Sequence, residues 1–265
     1  MKFFLAPMQG LTGYTVRNAF HHHFDYIDKY YTPFIPAAKR MNAKIKRDID
    51  PVNNDGITLI PQAMSIVADE VIDLHRQLVP YGYDEININL GCPSGTVVSK
   101  KRGSGILAYP DMLDSFLDEL YTKADFPVSI KTRVGFNDDE LWPRLIEIYS
   151  KYPISELTVH PRVQKDFYKN TPRMDDFALA MQKINPDKTI LCYNGDITDT
   201  NSFNALTDCF PDIDEIMIGR GLFANPALIA ELKGISMDKA ELRERLKNWH
   251  DEILSGYLSL SLIHI

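Results

Sequence analysis

Cysteine is scarce in this chain. Three occur in 265 residues, Cys92, Cys192 and Cys209, with no Cys-x-x-Cys pair and no even framework. That excludes a disulfide scaffold or a paired-cysteine zinc site as the organising principle, and a reducing cytoplasm is expected. Long apolar runs are also missing. No stretch approaches the ~20 apolar residues that span a bilayer. Met1 leads straight into a short apolar strand rather than a charged segment, long apolar run and cleavage site, so no signal peptide is expected. Positive charge is not in excess. A formal net charge of −7 excludes a surface that attracts nucleic acid everywhere, so any RNA contact must use a local basic face. The dinucleotide fingerprint GxGxxG is absent after the first strand, which argues against a doubly wound open sheet.

What is present is an alternation. With 45% hydrophobic residues, the chain can bury one large domain. Apolar, β-branched or aromatic runs at 3–7, 26–31, 57–61, 85–89, 128–132, 157–160, 190–193 and 216–219 read as strands. Helix-like segments lie between most of them, for example at 68–78, 111–122, 140–149 and 175–184. Strand and helix in alternation imply parallel pairing with right-handed crossovers, and eight units imply a closed (β/α)8 TIM barrel, an α/β fold. The alternation stops near Gly234. Residues 1–234 are therefore expected to form the barrel and 235–265 a C-terminal helical segment. Within that segment Leu242, Leu246, Trp249, Ile253 and Tyr257 recur at helical spacing, a stripe with little remaining chain to cover it. Residues 259–265 are uncharged and unlike what precedes them, and read as a frayed or foreign end.

In such barrels the chemistry sits at the carboxyl ends of the strands. The polar residues there are Gln9, Gln62, Asn89, Cys92, Lys131, Arg133, His160, Arg162, Asn194, Asp196 and Arg220. Lys131 and Arg133 are two apart, as are His160 and Arg162, so each pair shares a strand face. Any one of these can be a solvated loop end; such residues after seven of eight strands point to one shared pocket. Asn194-Gly195-Asp196 and Gly219-Arg220-Gly221 are glycine turns after the last two strands. Glycines let backbone amides approach a phosphate, and phosphate sites after strands seven and eight recur in this fold. These turns point to a phosphate-bearing cofactor with Arg220 as its cation. Lys131 suits the pyrimidine end of a flavin, a neighbouring carboxylate or a Schiff base. His160 suits a flavin carbonyl or a structural hydrogen bond.

Cys92 lies in Asn89-Leu-Gly-Cys-Pro-Ser, where a buried strand surfaces. That setting marks a reactive thiol, whereas Cys192 and Cys209 read as packing residues. A nucleophile would need a base nearby; a general acid needs a thiol still protonated at neutral pH. His21-His22-His23 is not read as a metal site, because consecutive side chains diverge. Basic residues cluster after strands: Lys39, Arg40, Lys44, Lys46 and Arg47; Lys100, Lys101 and Arg102; Arg162, Lys165, Lys169 and Arg173. Such clusters are either solvated loops or a track for an anionic polymer.

Taken in order, Ala6-Pro7-Met8, Asn89-Leu-Gly-Cys-Pro-Ser, Lys131-Thr-Arg133, Val159-His160-Pro-Arg162, Asn194-Gly-Asp196 and Gly219-Arg220-Gly221 make the chain resemble the tRNA-dihydrouridine synthases, from residue 3 to about residue 230. The resemblance implies an FMN-bearing barrel that reduces a uridine in tRNA, with NADPH as the electron source. It implies that Cys92 protonates carbon 5 of the uracil, that Asn89 holds the base and that Arg162 contacts substrate or flavin. It assigns FMN to Pro7, Met8, Gln62, Lys131, His160, Asn194, Gly195, Asp196, Gly219 and Arg220. The family usually continues into a helical domain that grips tRNA. Only one helix of it is recognisable here, so FMN binding with weak tRNA binding is expected. A flavin barrel acting on a free pyrimidine, like dihydroorotate dehydrogenase, would share the pocket without needing the basic loops. A tRNA-binding factor with a vestigial barrel would not need Cys92, Lys131 or the glycine turns, all of which are intact.

Overall fold

The structure is a computed structural model that describes residues 1–37 and 40–262, with side chains through Leu260. Lys39 of the first basic cluster and residues 263–265 lie outside the described residues. One sheet of ten parallel segments organises it. These are β1 (Lys2–Leu5), β2 (Lys29–Tyr31), β3 (Ile35–Pro36), β4 (Leu59–Ile60), β5 (Gln62–Met64), β6 (Ile86–Leu90), β7 (Val128–Gly135), β8 (Glu156–Val163), β9 (Ile190–Tyr193) and β10 (Glu215–Ile218). The last pairs with the first, Lys2↔Glu215 through Leu5↔Ile218.

The ten segments make eight staves. β2 and β3 belong to one pass of the chain, β4 and β5 to the next, and β2 pairs with β4 while β3 pairs with β5. The interruption has a local cause: Pro61 has no N–H to give the ladder. Thr32 bridges the gap, its N–H donating to the Ile60 carbonyl and its Oγ1 accepting the Gln62 N–H at 2.9 Å. The ring is therefore continuous, and the expected (β/α)8 barrel is present.

The helices are α1 (Tyr14–His23), α2 (Ala43–Ile49), α3 (Ala68–Leu78), α4 (Gly95–Val98), α5 (Pro110–Lys123), α6 (Trp142–Ser150), α7 (Met174–Lys183), α8 (Thr200–Cys209), α9 (Arg220–Ala224), α10 (Leu228–Leu232) and α11 (Lys239–Leu262). No helix among the described residues is long and apolar enough to cross a membrane.

Strand parity divides the core. Along β6, Ile86, Ile88 and Leu90 face the helices in the main apolar cluster, while Asn87 and Asn89 face the barrel interior. A small apolar plug of Phe4, Ala6, Tyr31, Ile60, Cys192 and Met217 fills that interior. Beneath it Glu156 accepts from Lys29 at 2.6 Å, Tyr31 at 2.7 Å and Thr158 at 2.8 Å. Burial and the Glu156 and Glu215 carboxylates push the Cys192 thiol well above its ordinary range, as suits a packing residue. Cys209 differs from expectation: it ends α8 and is exposed, so it is a surface thiol.

α11 also differs. It runs on through Leu262, so residues 259–262 continue a helix rather than fray. Its apolar stripe is covered by α1, with the Trp249 and Phe20 rings 5.3 Å apart. Glu252 takes His22 at 2.9 Å and His23 at 2.8 Å, and Arg245 donates to the His23 carbonyl. The histidine run thus anchors a helix more than two hundred residues away. The last member of the stripe, Tyr257, is partly exposed, as are Leu254 and Leu258.

Candidate active site

A cleft of about 540 Å³ opens over the carboxyl ends of the strands. Of the residues expected there, Pro7, Met8, Gln62, Asn89, Cys92, Lys131, His160, Asn194, Gly195, Asp196, Gly219 and Arg220 all line it. Arg162 does not.

Cys92 is held by its neighbours' amides. The Asn89 Oδ1 accepts from the backbone N–H of Cys92 at 2.9 Å and of Gly91 at 3.2 Å. The Asn89 Nδ2 donates to Gln62 Oε1 at 2.7 Å, Gln62 Nε2 to Asn87 Oδ1 at 2.8 Å, and Asn87 Nδ2 to Ser129 Oγ at 3.0 Å. This amide chain fixes Asn89 and, through it, the thiol loop. From the other side Ser104 donates both its N–H and its hydroxyl to the Cys92 carbonyl. Gly103 permits that approach. Its φ is +55°, and a Cβ there would lie 2.8 Å from the Cys92 carbonyl oxygen. Gly103→Ala is expected to cost about 1–3 kcal/mol of stability. Urea unfolding reads that loss, and a changed rate of Cys92 thiol labelling reads the displaced loop.

The opposite wall is cationic. Lys131 and Arg133 point inward from β7, His160 from β8. Burial, then the neighbouring Arg133, lower the Lys131 ammonium to about 7. Burial and the charges of Arg133, Lys131, Arg162 and Arg220 hold His160 well below its usual range, so it is neutral. Arg162 donates to His160 Nε2 at 3.2 Å. Arginine only donates, so Nε2 accepts and the ring hydrogen is assigned to Nδ1. Arg133 is committed to backbone, donating to the Gly91, Val163 and Phe167 carbonyls. It ties the thiol loop to the end of β8.

Asp196 is the carboxylate in this wall. Burial pushes its pKa up, but Arg162 and Arg220 outweigh that and hold it below the ordinary range. Arg220 reaches Asp196 at 2.8 Å, stays half exposed, and places its guanidinium 4.9 Å from the Tyr168 ring centroid. Arg162 is 1% exposed, with its other donors on the Lys169 and Asn170 carbonyls. Expected to touch substrate or flavin, it sits instead behind His160 and Asp196 and orients both.

The Gly219 turn leads directly into a short helix, α9, which begins at Arg220 and is followed by α10. A Cβ at Gly219 would project toward Ala6 and Met8, at 3.4 and 3.7 Å. One lining residue that escaped the sequence reading is Phe34, in the break between β2 and β3, signalled only by its flanking prolines. Gln164, outside the lining, donates to the Pro93 carbonyl at 2.9 Å. Three residues of the basic clusters are spent internally: Arg102 pairs with Glu70, Arg173 with Asp139 and Asp166, and Arg162 with Asp196.

The donor set tests the expected FMN. Lys131, Arg133, Arg162 and Arg220 gather at a cleft whose one lining carboxylate among the described residues is Asp196; burial and then the neighbouring cations lower Lys131 and His160, and an anion there would favour their charged forms. Gln62, Asn89, Asn194 and the His160 Nδ1–H add neutral groups that can meet a ring's carbonyl and imide edge. The residues present fit a flavin with a phosphate tail.

Known proteins resemble this chain along much of its length. A probable tRNA-dihydrouridine synthase of Staphylococcus aureus is 34% identical over 154 residues, 57% of this chain and 46% of its own length. tRNA-dihydrouridine synthase B of Pasteurella multocida is 27% identical over 243 residues, 88% of this chain and 69% of its own. The chain thus spans about half the length of the first relative. Among solved structures, a variant of NCR from Zymomonas mobilis superposes with a TM-score of 0.60 at 12% identity, covering 94% of this chain and 90% of that one, a likeness of fold. Residues 4–254 match the family described as dihydrouridine synthase (Dus), and the chain belongs to that family.

Proposed function

We propose that this protein reduces a uridine of tRNA to 5,6-dihydrouridine in the cytoplasm, using FMN reduced by NADPH. One observation carries the reading: a loop-held thiol, Cys92, shares one cleft with a cationic wall suited to a flavin. A flavin bound there would supply the hydride that carbon 6 of the uracil gains. Cys92 donates a proton to carbon 5, and Asn89 keeps its loop in place. Lys131 would stabilise negative charge at the pyrimidine end of the ring, the His160 Nδ1–H would donate to a ring carbonyl, and Arg220 would supply a cation for the phosphate. Arg162 positions His160 and Asp196. The target base leaves its stack to reach the cleft, at a cost of a few kcal/mol.

The test is the absorbance spectrum of the purified protein, followed by anaerobic NADPH with and without unmodified tRNA. A flavin band that bleaches with NADPH and returns when tRNA is added is the expected result. Flavin that is indifferent to tRNA and reoxidised by a free pyrimidine would replace the RNA substrate with a small molecule. A protein that cannot be loaded with FMN would overturn the cofactor.

A further inference from the structure

A second cleft, of about 330 Å³, adjoins the first, and Gln9 and Phe34 line both. The second is walled by the start of α1, by α2 and by the end of α11, which contributes Tyr257 and Leu260. Tyr14, Phe34 and Tyr257 give it aromatic surface, and Lys44 and Arg47 give it positive charge.

The charge balance there is unusual for an acidic protein. Asp48 is the carboxylate in the cleft, and it is already engaged. Its Oδ1 accepts the Tyr14 N–H at 2.7 Å, and its Oδ2 pairs with the fully buried Arg17 at 3.2 Å. Neither Lys44 nor Arg47 has an ion pair with a described residue. By contrast Arg102, Arg173 and Arg220 each have a carboxylate. Two uncompensated cations beside aromatic walls, continuous with a cleft that receives a base, form the chemistry of single-stranded nucleic-acid binding: stacking for a base, charge for its phosphate. A protein partner would leave the continuity with the first cleft unexplained.

We propose that this second cleft is a subsite for the nucleotide adjoining the target uridine. Its base lies against the Tyr14 and Phe34 side, and its phosphate meets Lys44 and Arg47. The inference rests on the dihydrouridine reading and adds a place where the sequence context of the uridine is felt. It also gives α11 a role: anchored by Glu252 and Trp249 on α1, it holds Tyr257 over the subsite.

The experiment is an anisotropy titration of a labelled, unmodified tRNA transcript with the whole chain at several KCl concentrations. Wild type is compared with Lys44→Gln/Arg47→Gln and with Tyr14→Ala, each checked for folding by its circular-dichroism melt. The double variant is expected to bind about tenfold more weakly, with the slope of log K against log salt reduced by about 1.4, near 0.7 per lost phosphate contact. Tyr14→Ala is expected to lose about fivefold or more with the slope kept, because stacking is not a counterion effect. A double variant with wild-type affinity and slope overturns the subsite, as does a wild-type chain that binds no transcript. Anaerobic bleaching separates the two readings. Wild-type flavin reoxidised by tRNA, beside an unaffected double variant, removes the subsite alone; flavin indifferent to tRNA removes the reaction beneath it.

Discussion

Cys92→Ala is expected to slow reoxidation of NADPH-bleached flavin by tRNA about 10²- to 10⁴-fold, the usual worth of a positioned proton donor. The side chain is partly buried in the cleft, and its loop is held by Asn89 and Ser104 rather than by the thiol. Removing the sulfur therefore leaves the loop's hydrogen bonds in place, and the loss reports chemistry rather than folding. Cys92→Ser keeps a donor of similar size but is a much weaker acid, so it should fall nearer alanine than wild type. Rapid-mixing absorbance on the protein and an unmodified transcript measures all three. A wild-type rate in the alanine variant would remove Cys92 from the reaction. A covalent protein–RNA adduct in the wild type would make the thiol a nucleophile instead.

Lys131→Met should produce the second large effect, a shift in flavin potential and affinity. The variant is expected to lower the midpoint potential by roughly 30–60 mV, about 1.4–2.8 kcal/mol for a two-electron couple, because the reduced anionic ring loses its cation. The wild-type pH profile follows from the lowered lysine. In the ligand-free protein burial and Arg133 bring Lys131 to about 7, from an ordinary value of 10.5. An anion in the cleft favours the charged form and raises that value. Between about pH 7 and 10 binding the reduced flavin therefore takes up a proton, and its affinity falls as pH rises across this window. Below pH 7 the lysine is charged already and the dependence flattens. Potentiometric titration at several pH values should show this slope in wild type and not in Lys131→Met. An identical slope in both would place the titration elsewhere.

The barrel and most of the cleft were legible in the sequence because they follow from strand parity and strand ends. Asn89, Lys131 and His160 fall on inward positions of strands whose other face is apolar, and Cys92 follows one such strand through a turn. Arg162 defeats the same rule. It lies two residues beyond His160, but at the rim, where the β7–β8 register has shifted. Its guanidinium follows a loop shaped by positive φ at Phe167 and Asn170, and no strand pattern encodes that. The cover for α11 was illegible for another reason. A stripe at helical spacing says that a face is buried, not by what, and α1 precedes it by more than two hundred residues. The same holds for Arg102 and Arg173, whose charge was visible and whose carboxylate partners were not.

The break at Pro61 gives the barrel a soft side. Ladders between neighbouring staves range from two residue pairs to the five of β6 with β7 and of β7 with β8, and the second and third staves meet through two separate ladders of two pairs each, bridged by the hydroxyl of Thr32. Amide hydrogens of 29–36 and 59–64 are thus expected to exchange before those of β7 and β8, since a short ladder opens at less cost than a long one. Gln62 and Phe34 stand on that seam, and both line the cleft. This interrupted part of the barrel lies under the mouth through which the proposed tRNA substrate would present one base. Widening there disturbs neither Lys131 nor His160, which stand on the long ladder of β7 and β8.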